Sequence, residues 1–276
     1  FKNAINLTGV WDANNPKVCY IPAGTYRLTQ QLVPKSGMVF RGDGSNATKL
    51  KFYFGSNTSY YHCFRLEGSQ GNATSITSGD DRGSTAITVS SATDFANGSF
   101  IRIKQTNDIE WWWNVAENKP RVFCNGGYGD ANNGMYGAHV GWARDCKGEM
   151  AYVTTKSGNT LNLDHALFTT LDASKAPVAY PVTPAKNIGF EYLYITTDAP
   201  SGHVSGSWGA TFFYTLTSRC WIKACELYKA RQHHLMAEKT DQLEVRQCYF
   251  HDFYETYKSP GSGNTGEGYV WDLRTN

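Results

Sequence analysis

Residues 220–230, CWIKACELYKA, and residues 243–253, LEVRQCYFHDF, carry the same pattern of apolar side chains at an offset of 23 residues, from 220 to 243. The corresponding positions are Ile222 and Val245, Cys225 and Cys248, and Leu227 and Phe250. A fixed period in this range is typical of solenoids, in which each repeat buries its apolar side only by stacking on the next repeat.

Other segments extend this pattern in both directions. Residues 187–195, NIGFEYLYI, have the same arrangement at Phe190, Leu193 and Ile195, and Phe212 in ATFFYT precedes Leu235 in HHLMAE by 23 residues. These segments are short, β-rich and separated by polar turns, and they lack the ten or more residues at helical period that a helical solenoid needs. The sequence therefore predicts an all-β protein, a right-handed parallel β-helix with about three short strands in each rung.

The composition excludes several classes of partner. The formal net charge of the 276 residues is +2, which gives no reason to expect nucleic acid or an anionic membrane as a partner. No apolar run approaches the roughly 20 residues of a membrane span. A charged fraction of 18% together with 27 glycines suits a turn-rich β protein.

The first rungs resemble a known family. Residues 20–28, YIPAGTYRL, are followed by SGMVFRGDG at 36–44 and TKL at 48–50. This succession is similar to the first rungs of the pectate-lyase-like superfamily, whose members are right-handed parallel β-helices and often secreted. The resemblance, with the later repeats, covers about two thirds of the chain, and it implies a fold more than a reaction.

The rungs are interrupted in the middle of the chain. Residues 84–105 and 148–167 each alternate apolar and polar side chains around a turn, which predicts two strand–turn–strand segments. We therefore divide the single solenoid domain into a cap remnant with the first rungs at 1–83, a β-rich, aromatic and glycine-rich insertion at 84–184, and later rungs at 185–276. Both ends fall in structured-looking segments, so we expect a chain cut at both ends.

The seven cysteines are too few for a disulfide scaffold in a chain of this length. Cys225 and Cys248 are expected to be stacked core residues of adjacent rungs. Cys124 and Cys146 bracket a Gly/Asn-rich loop and are the candidates for a disulfide. The sequence has no CxxC pair, the spacing that would indicate a zinc site. We expect no cofactor and identify no metal site; calcium is left open, although the acidic cluster that holds it in many pectate lyases is not found.

Five N-x-[ST] sequons lie in the first hundred residues, in turn-like contexts. A cluster of sequons favours a secreted, extracellular protein, and glycosylation would follow if the source is eukaryotic. The candidate glycosylation sites are Asn6, Asn46, Asn57, Asn72 and Asn97.

The candidate site follows from the resemblance and from strand parity. In the resembling enzymes the substrate lies beside one stack of strands, and the matching segments here are 210–215, 233–238 and 268–273. If Phe212 and Leu235 point inward, alternation places their neighbours outward. The candidate catalytic residues are His234, Glu238, Arg231 and Lys239, and the candidate sugar platforms are Phe213, Tyr269, Trp271, Trp112 and Trp142.

These residue types fit two reactions. A lyase that acts on uronic acids needs a cation for the carboxylate and a base for the neighbouring proton, which Arg231 or Lys239 and His234 would supply. A hydrolase needs an acid and a base, with candidates at Glu238, Asp241 and Asp252. The acidic and histidine motifs of polygalacturonases are absent, so the sequence leaves open whether the protein is an enzyme.

Two function classes remain. The first is a secreted polysaccharide lyase or glycoside hydrolase that holds an extended glycan in the groove of one strand stack. The second is a non-catalytic extracellular β-helix, such as the subunit of an appendage, filament, sheath or spike. The expected partner is a polysaccharide, and copies of the chain would associate through the solenoid ends or the aromatic face.

Overall fold

The computed structural model describes residues 11–54, 62–106, 148–198, 209–230 and 233–253, and the backbone of strands at 113–114, 119–120 and 269–274. These residues are almost entirely strands and their connections, with one short 3-10 helix at Ala173–Lys175. They form two compact units. The first comprises Phe1–Glu67 and Ala185–Leu273, and the second comprises Gly68–Pro184 with Arg274–Asn276.

The first unit is a solenoid of three parallel sheets. The first sheet contains, in order, β1 (Lys17–Tyr20), β3 (Met38–Arg41), β16 (Gly189–Glu191), β19 (Trp221–Lys223) and β22 (Glu244–Arg246). The second sheet contains β2 (Gly24–Leu28), β4 (Thr48–Phe52), β17 (Tyr194–Thr197), β20 (Glu226–Ala230) and β23 (Tyr249–Phe253). The third sheet contains β15 (Ala185–Lys186), β18 (Ala210–Ser218), β21 (His233–Asp241) and β24 (Tyr269–Arg274), with β5 (Phe64–Glu67) also paired to β18.

The 23-residue register is confirmed. Ile222 pairs with Val245 in the first sheet, and Leu227 pairs with Phe250 in the second. In the third sheet, Phe212 pairs with Leu235. Each step places like positions one strand spacing apart, about 4.8 Å, so the apolar side chains of successive rungs form continuous columns inside the coil.

Two cysteines occupy equivalent places between the first and second sheets. Cys225 is buried and Cys248 is half-buried, and both thiols are free. Burial raises the pKa of Cys225 well above its usual value and also raises the pKa of Cys248. These thiols stay protonated and serve as small core side chains. Cys124 and Cys146, the predicted disulfide, lie outside the described residues.

The rungs before and after the middle of the chain are direct neighbours. Phe190 pairs with Phe40 on one side and with Ile222 on the other. The rings of Phe40 and Phe190 stack with centroids 5.2 Å apart and planes within 2° of parallel. Phe64 and Phe212 stack in the same way at 5.1 Å. Rungs from two distant parts of the sequence therefore share one aromatic core.

The corner between the first and second sheets is made by residues in the left-handed region. Tyr192, Ala224 and Gln247 have φ of 57°, 50° and 55° in three successive rungs. This conformation costs roughly 1–2 kcal/mol for a residue with a Cβ. The rungs on either side must offset that cost by their stacking, because none of these residues is a glycine.

The second unit is an antiparallel sheet that closes on itself. Its strands follow the order β6 (Ser69–Gln70), β14 (Val178–Thr183), β7 (Thr74–Ser78), β8 (Ala86–Val89), β13 (Thr160–Leu163), β12 (Gly148–Ser157) and β9 (Phe100–Lys104), and β9 pairs back with β14. Aliphatic side chains such as Ile87, Ile101, Val153 and Leu161 are fully buried and form its core. A separate antiparallel pair joins β10 (Trp113–Asn114) and β11 (Lys119–Pro120).

The second unit begins earlier than residue 84, the start predicted from the sequence. β6 and β7 both pair with β14, so residues 68–83 are part of this unit and not of the first rungs. β6 has only two residues, both exposed, and has no apolar pattern that would separate it from a turn. Among the described residues, no helix is long and apolar enough to cross a membrane.

We predict that Ile222→Ala lowers the free energy of unfolding by about 2–5 kcal/mol, because Ile222 is fully buried between Phe190 and Val245. Urea unfolding followed by circular dichroism measures the change. Glu244→Ala, on the exposed face of the neighbouring strand, is the matched control and should change stability by less than about 0.5 kcal/mol. Equal effects of the two substitutions would contradict the stacked core.

Candidate functional site

The third sheet carries a column of side chains that crosses three rungs. Thr215 on β18 pairs with Glu67 on β5 and with Glu238 on β21. Phe212 and Tyr214, its neighbours in β18, lie in the core. The alternation of side chains along the strand therefore places Thr215, Glu67 and Glu238 on the outer face. Two carboxylates thus flank a small residue on one side of the sheet.

Arg65 lies beside the first of these carboxylates. Its Nη2 is 2.8 Å from Oε2 of Glu67, and the two side chains are 43% and 45% exposed. An ion pair with this exposure contributes at most about 1 kcal/mol to stability. Its effect here is on geometry, because it restricts where the Glu67 carboxylate points.

The next column is aromatic. Phe213 pairs with Arg65 and with Met236, and its ring stacks on His62 with centroids 4.5 Å apart and planes within 10°. Phe213 was predicted as a sugar platform, and it is half-buried on the outer face of the sheet. The face that it shares with His62 is covered by the imidazole. Only the remaining surface of the ring is available to a ligand.

His62 is held as a neutral imidazole. Its Nδ1 accepts a hydrogen bond from the Ala210 amide at 3.2 Å, so its proton is on Nε2. Burial, with smaller contributions from the charges of Arg65 and His233, lowers the pKa of His62 from 6.5 to about 3. A histidine with this pKa cannot supply a positive charge at neutral pH.

His234 does not face solvent, and the expectation that it does was wrong. Its side chain is fully buried, and its ring stacks on Phe250 at 5.7 Å. Burial lowers the pKa of His234 to about 4, against the opposing effect of hydrogen bonds with the backbone of Asp252 and His251. His233 is fully buried as well, so this end of β21 is covered on both sides. The catalytic role of His234 stays a prediction.

The other predicted site residues are divided between described and undescribed parts of the chain. Glu238 and Lys239 are adjacent in β21 and half-buried. Lys239 has φ of 50°, which interrupts the regular alternation after Glu238. Tyr269 and Trp271 belong to β24 beside β21, but their side chains lie outside the description. Arg231, Trp112 and Trp142 lie outside the described residues.

The two further carboxylate candidates are in different places. Asp241 accepts a hydrogen bond from the Ser218 hydroxyl at 2.9 Å, one rung away in the third sheet. Asp252 lies in β23 of the second sheet, 3.6 Å from His251. The structure therefore brings Glu238 together with Glu67 and not with Asp252. Across the described residues, no group of three or more His, Cys, Asp or Glu side chains is placed to hold a metal ion.

Sequence reasoning missed Glu67, Arg65 and His62. A signal was available, because Phe64 and Leu66 alternate with polar residues just as Phe212 and Tyr214 do. The insertion that separates these segments hid their correspondence, since no fixed period connects them. Among the candidate glycosylation sites, Asn46, Asn72 and Asn97 are exposed, while Asn6 and Asn57 lie outside the described residues.

We predict that acid destabilises the protein partly through His62. The unfolded chain takes up a proton near pH 6.5, whereas the folded chain does so only near pH 3, so stability falls as the pH drops through this window. The free energy of unfolding should therefore be lower at pH 4.5 than at pH 7. In His62→Phe, which keeps a ring against Phe213, this difference should shrink. An undiminished difference would exclude His62 as a contributor, and Lys35→Gln, on an exposed lysine, is the control.

Comparison with known proteins finds similar solved structures but no family. No family model matches the chain, and no curated protein does. The tailspike gp61 of Pseudomonas phage phi297 matches at a TM-score of 0.57 and 15% identity, over 92% of this chain and 35% of that structure. The chain thus spans about a third of that tailspike's length.

Two further tailspikes are similar at lower scores. Gp54 of Acinetobacter baumannii bacteriophage AP22, solved in complex with A. baumannii capsular saccharide, has a TM-score of 0.49 and 13% identity over 94% of this chain and 44% of that one. The tailspike gp49 of Pseudomonas phage LKA1 has a TM-score of 0.43 and 14% identity over 85% of this chain and 46% of that one. The chain has the right-handed parallel β-helix fold, as its resemblance to the pectate-lyase-like superfamily implied.

Proposed function

We propose that this chain forms the β-helix of an extracellular, tailspike-like appendage and that it binds a polysaccharide along the outer face of its third sheet. The observation that carries the proposal is the column Glu67–Thr215–Glu238, which runs across three rungs beside Phe213. Carboxylates accept hydrogen bonds from sugar hydroxyls, and aromatic rings stack on sugar rings. Parallel rungs repeat these groups along a line, as an extended glycan requires.

The same column supports hydrolysis of the bound glycan. Glu67 and Glu238 are separated by two strand spacings, so their Cα atoms lie about 9.6 Å apart. Glutamate side chains on one face can reach toward each other, so their carboxyl groups can approach the roughly 6.5–9.5 Å separation of inverting glycosidases, which leaves room for the attacking water. One carboxylic acid would protonate the leaving oxygen, while the other carboxylate would take a proton from that water. Thr215 is small enough to leave the space between them open.

A non-catalytic role as a spike subunit is favoured by a different observation. Two side chains on the outer face of the third sheet, Thr211 and Met236, have only 2% of their surface exposed. The Thr217 and Thr240 hydroxyls are 3.2 Å apart, which joins adjacent rungs by a polar contact. A sheet that is covered at these positions and joined between rungs in this way suits a rigid shaft. The phage phi297 neighbour, a tailspike, is compatible with both roles.

We predict that Glu67→Gln and Glu238→Gln each abolish most hydrolytic activity while leaving the fold intact, because each loses one proton-transfer step. The expected loss is roughly 10²–10⁴-fold. The measurement is the release of reducing ends from a panel of neutral and uronate-containing polysaccharides. Glu244→Gln, which removes an exposed carboxylate from the first sheet, is the control and should retain full activity. A parent protein inert on every substrate would support the spike subunit instead.

We predict that His234→Phe keeps hydrolytic activity, since a ring of similar size preserves the stacking on Phe250 and the imidazole is not needed by a pair of carboxylates. The same assay and substrates measure the effect, with circular dichroism to show that the variant is folded. A folded variant without activity would return His234 to the mechanism as the base, and a lyase reaction would then replace hydrolysis. Such a product would show unsaturated ends by absorbance.

A further inference from the structure

We infer that the outer face of the second sheet is a separate binding surface for an acidic polysaccharide. Along one row, Lys49 of β4 pairs with Tyr194 of β17, Tyr194 pairs with Glu226 of β20, and Glu226 pairs with Tyr249 of β23. The next row contains Arg27, Lys51, Thr196, Tyr228 and His251 at matching register. The inference goes beyond the third-sheet site and does not depend on it.

The cations of this face are gathered in its first rungs. Thr25 and Arg27 of β2 pair with Lys49 and Lys51 of β4, respectively. Arg27 and Lys51 are thus one strand spacing apart, and Lys49 is two residues before Lys51 on the same strand. Arg27 is exposed, and the two lysines are half-exposed. A cluster of this kind holds a carboxylate by charge and by hydrogen bonds.

Aromatic rings continue the face from the cations toward the last rungs. The ammonium of Lys49 lies 5.7 Å from the centre of the Tyr194 ring, and the Tyr194 and Tyr228 rings are 6.1 Å apart. Tyr228 is 4.9 Å from His251, which stacks on Tyr249 at 4.2 Å. Tyr249 is 63% exposed. Flat rings at successive strand spacings offer stacking platforms to a chain of sugars.

Hydrogen-bond acceptors line the corner beside this face. A depression of about 460 Å³ runs there from Asp43 and Asn46, in the turn before β4, past Tyr192 to Glu226 and Tyr249. Carboxylate and amide oxygens accept from sugar hydroxyls, whereas they repel an anion. The face therefore has cations in its first rungs and acceptors along its corner. A glycan with carboxylates on some of its sugars and neutral sugars between them matches both kinds of group.

The size of the face suits an oligosaccharide. From β2 to β23 there are four steps of about 4.8 Å, which gives a track of about 19 Å. Single-stranded nucleic acid also binds to rings and cations in a row, but it carries a charge on every unit. The carboxylates of Glu226 and Asp252 on this face, and a net charge of only +2 over the chain, disfavour such a polyanion.

The test compares binding of hyaluronan, unsulfated chondroitin and heparosan oligosaccharides, in which a uronate alternates with an uncharged amino sugar, with binding of neutral dextran oligosaccharides by isothermal titration calorimetry. We expect at least one uronate glycan to bind more tightly than dextran. Lys49→Gln/Lys51→Gln should weaken that binding by about tenfold or more. Tyr194→Ala and Tyr228→Ala should each weaken it by several-fold. The matched control is Lys17→Gln/Lys35→Gln, which removes two exposed positive charges elsewhere in the first unit and should bind like the parent.

Three outcomes would overturn the inference. In the first, none of the three uronate glycans binds more tightly than dextran. In the second, both double-lysine variants lose binding equally. In the third, an oligothymidylate binds more tightly than the uronate glycans and its binding depends on Lys49 and Lys51. The glycan tests are run in parallel with Glu67→Gln/Glu238→Gln. Uronate binding that survives in this variant and fails in Lys49→Gln/Lys51→Gln belongs to the second sheet, whereas the reverse result would place it on the third sheet.

Discussion

The contact between Phe40 and Phe190 is the one on which the rest of the solenoid depends. These rings belong to strands that 150 residues of sequence separate, from 40 to 190, and they stack in parallel at 5.2 Å. The same alignment sets Leu50 beside Ile195 in the second sheet and Phe64 beside Phe212 in the third. Because side chains alternate along a strand, a shift of one residue at this junction would turn the apolar columns outward. The column Glu67–Thr215–Glu238 exists only because this register holds.

Part of this architecture could be predicted from the sequence. Between residues 210 and 253 the rungs have a constant length, so equal spacing of Ile222 and Val245, or of Phe212 and Leu235, was enough to give the register. The corners could not be located in the same way. Tyr192, Ala224 and Gln247 adopt the left-handed conformation without being glycine or asparagine, the residues that usually mark it. Stacking between rungs imposes this backbone, and no local signal reveals it.

The candidate site was predicted less well, for two physical reasons. Alternation along a strand indicates the side of the sheet on which a residue lies but not what covers that side. The position of His234 in its strand suggested an exposed side chain, but the side chain is buried. Glu67 was missed because its rung is completed by β18, which follows only after the insertion. A period in the sequence can reveal neighbours only where the connection between them has a constant length. Glu238 and Phe213, which lie within the periodic part, were found correctly as residues of the third sheet.

The insertion returns the chain close to the point at which it leaves. Ser69 and Thr183 are directly paired across β6 and β14, so the two ends of this unit are adjacent backbone neighbours. A flexible loop of more than 100 residues would resist closure by about 4 kcal/mol, on the (3/2)RT ln n scale. A folded insertion has already brought its ends together, and the rungs that it separates can then meet as if a short turn joined them. The contacts between Phe40 and Phe190 and their neighbours therefore cost less chain entropy than their separation in sequence indicates. If the insertion folds first, the rungs on either side of it should pair faster.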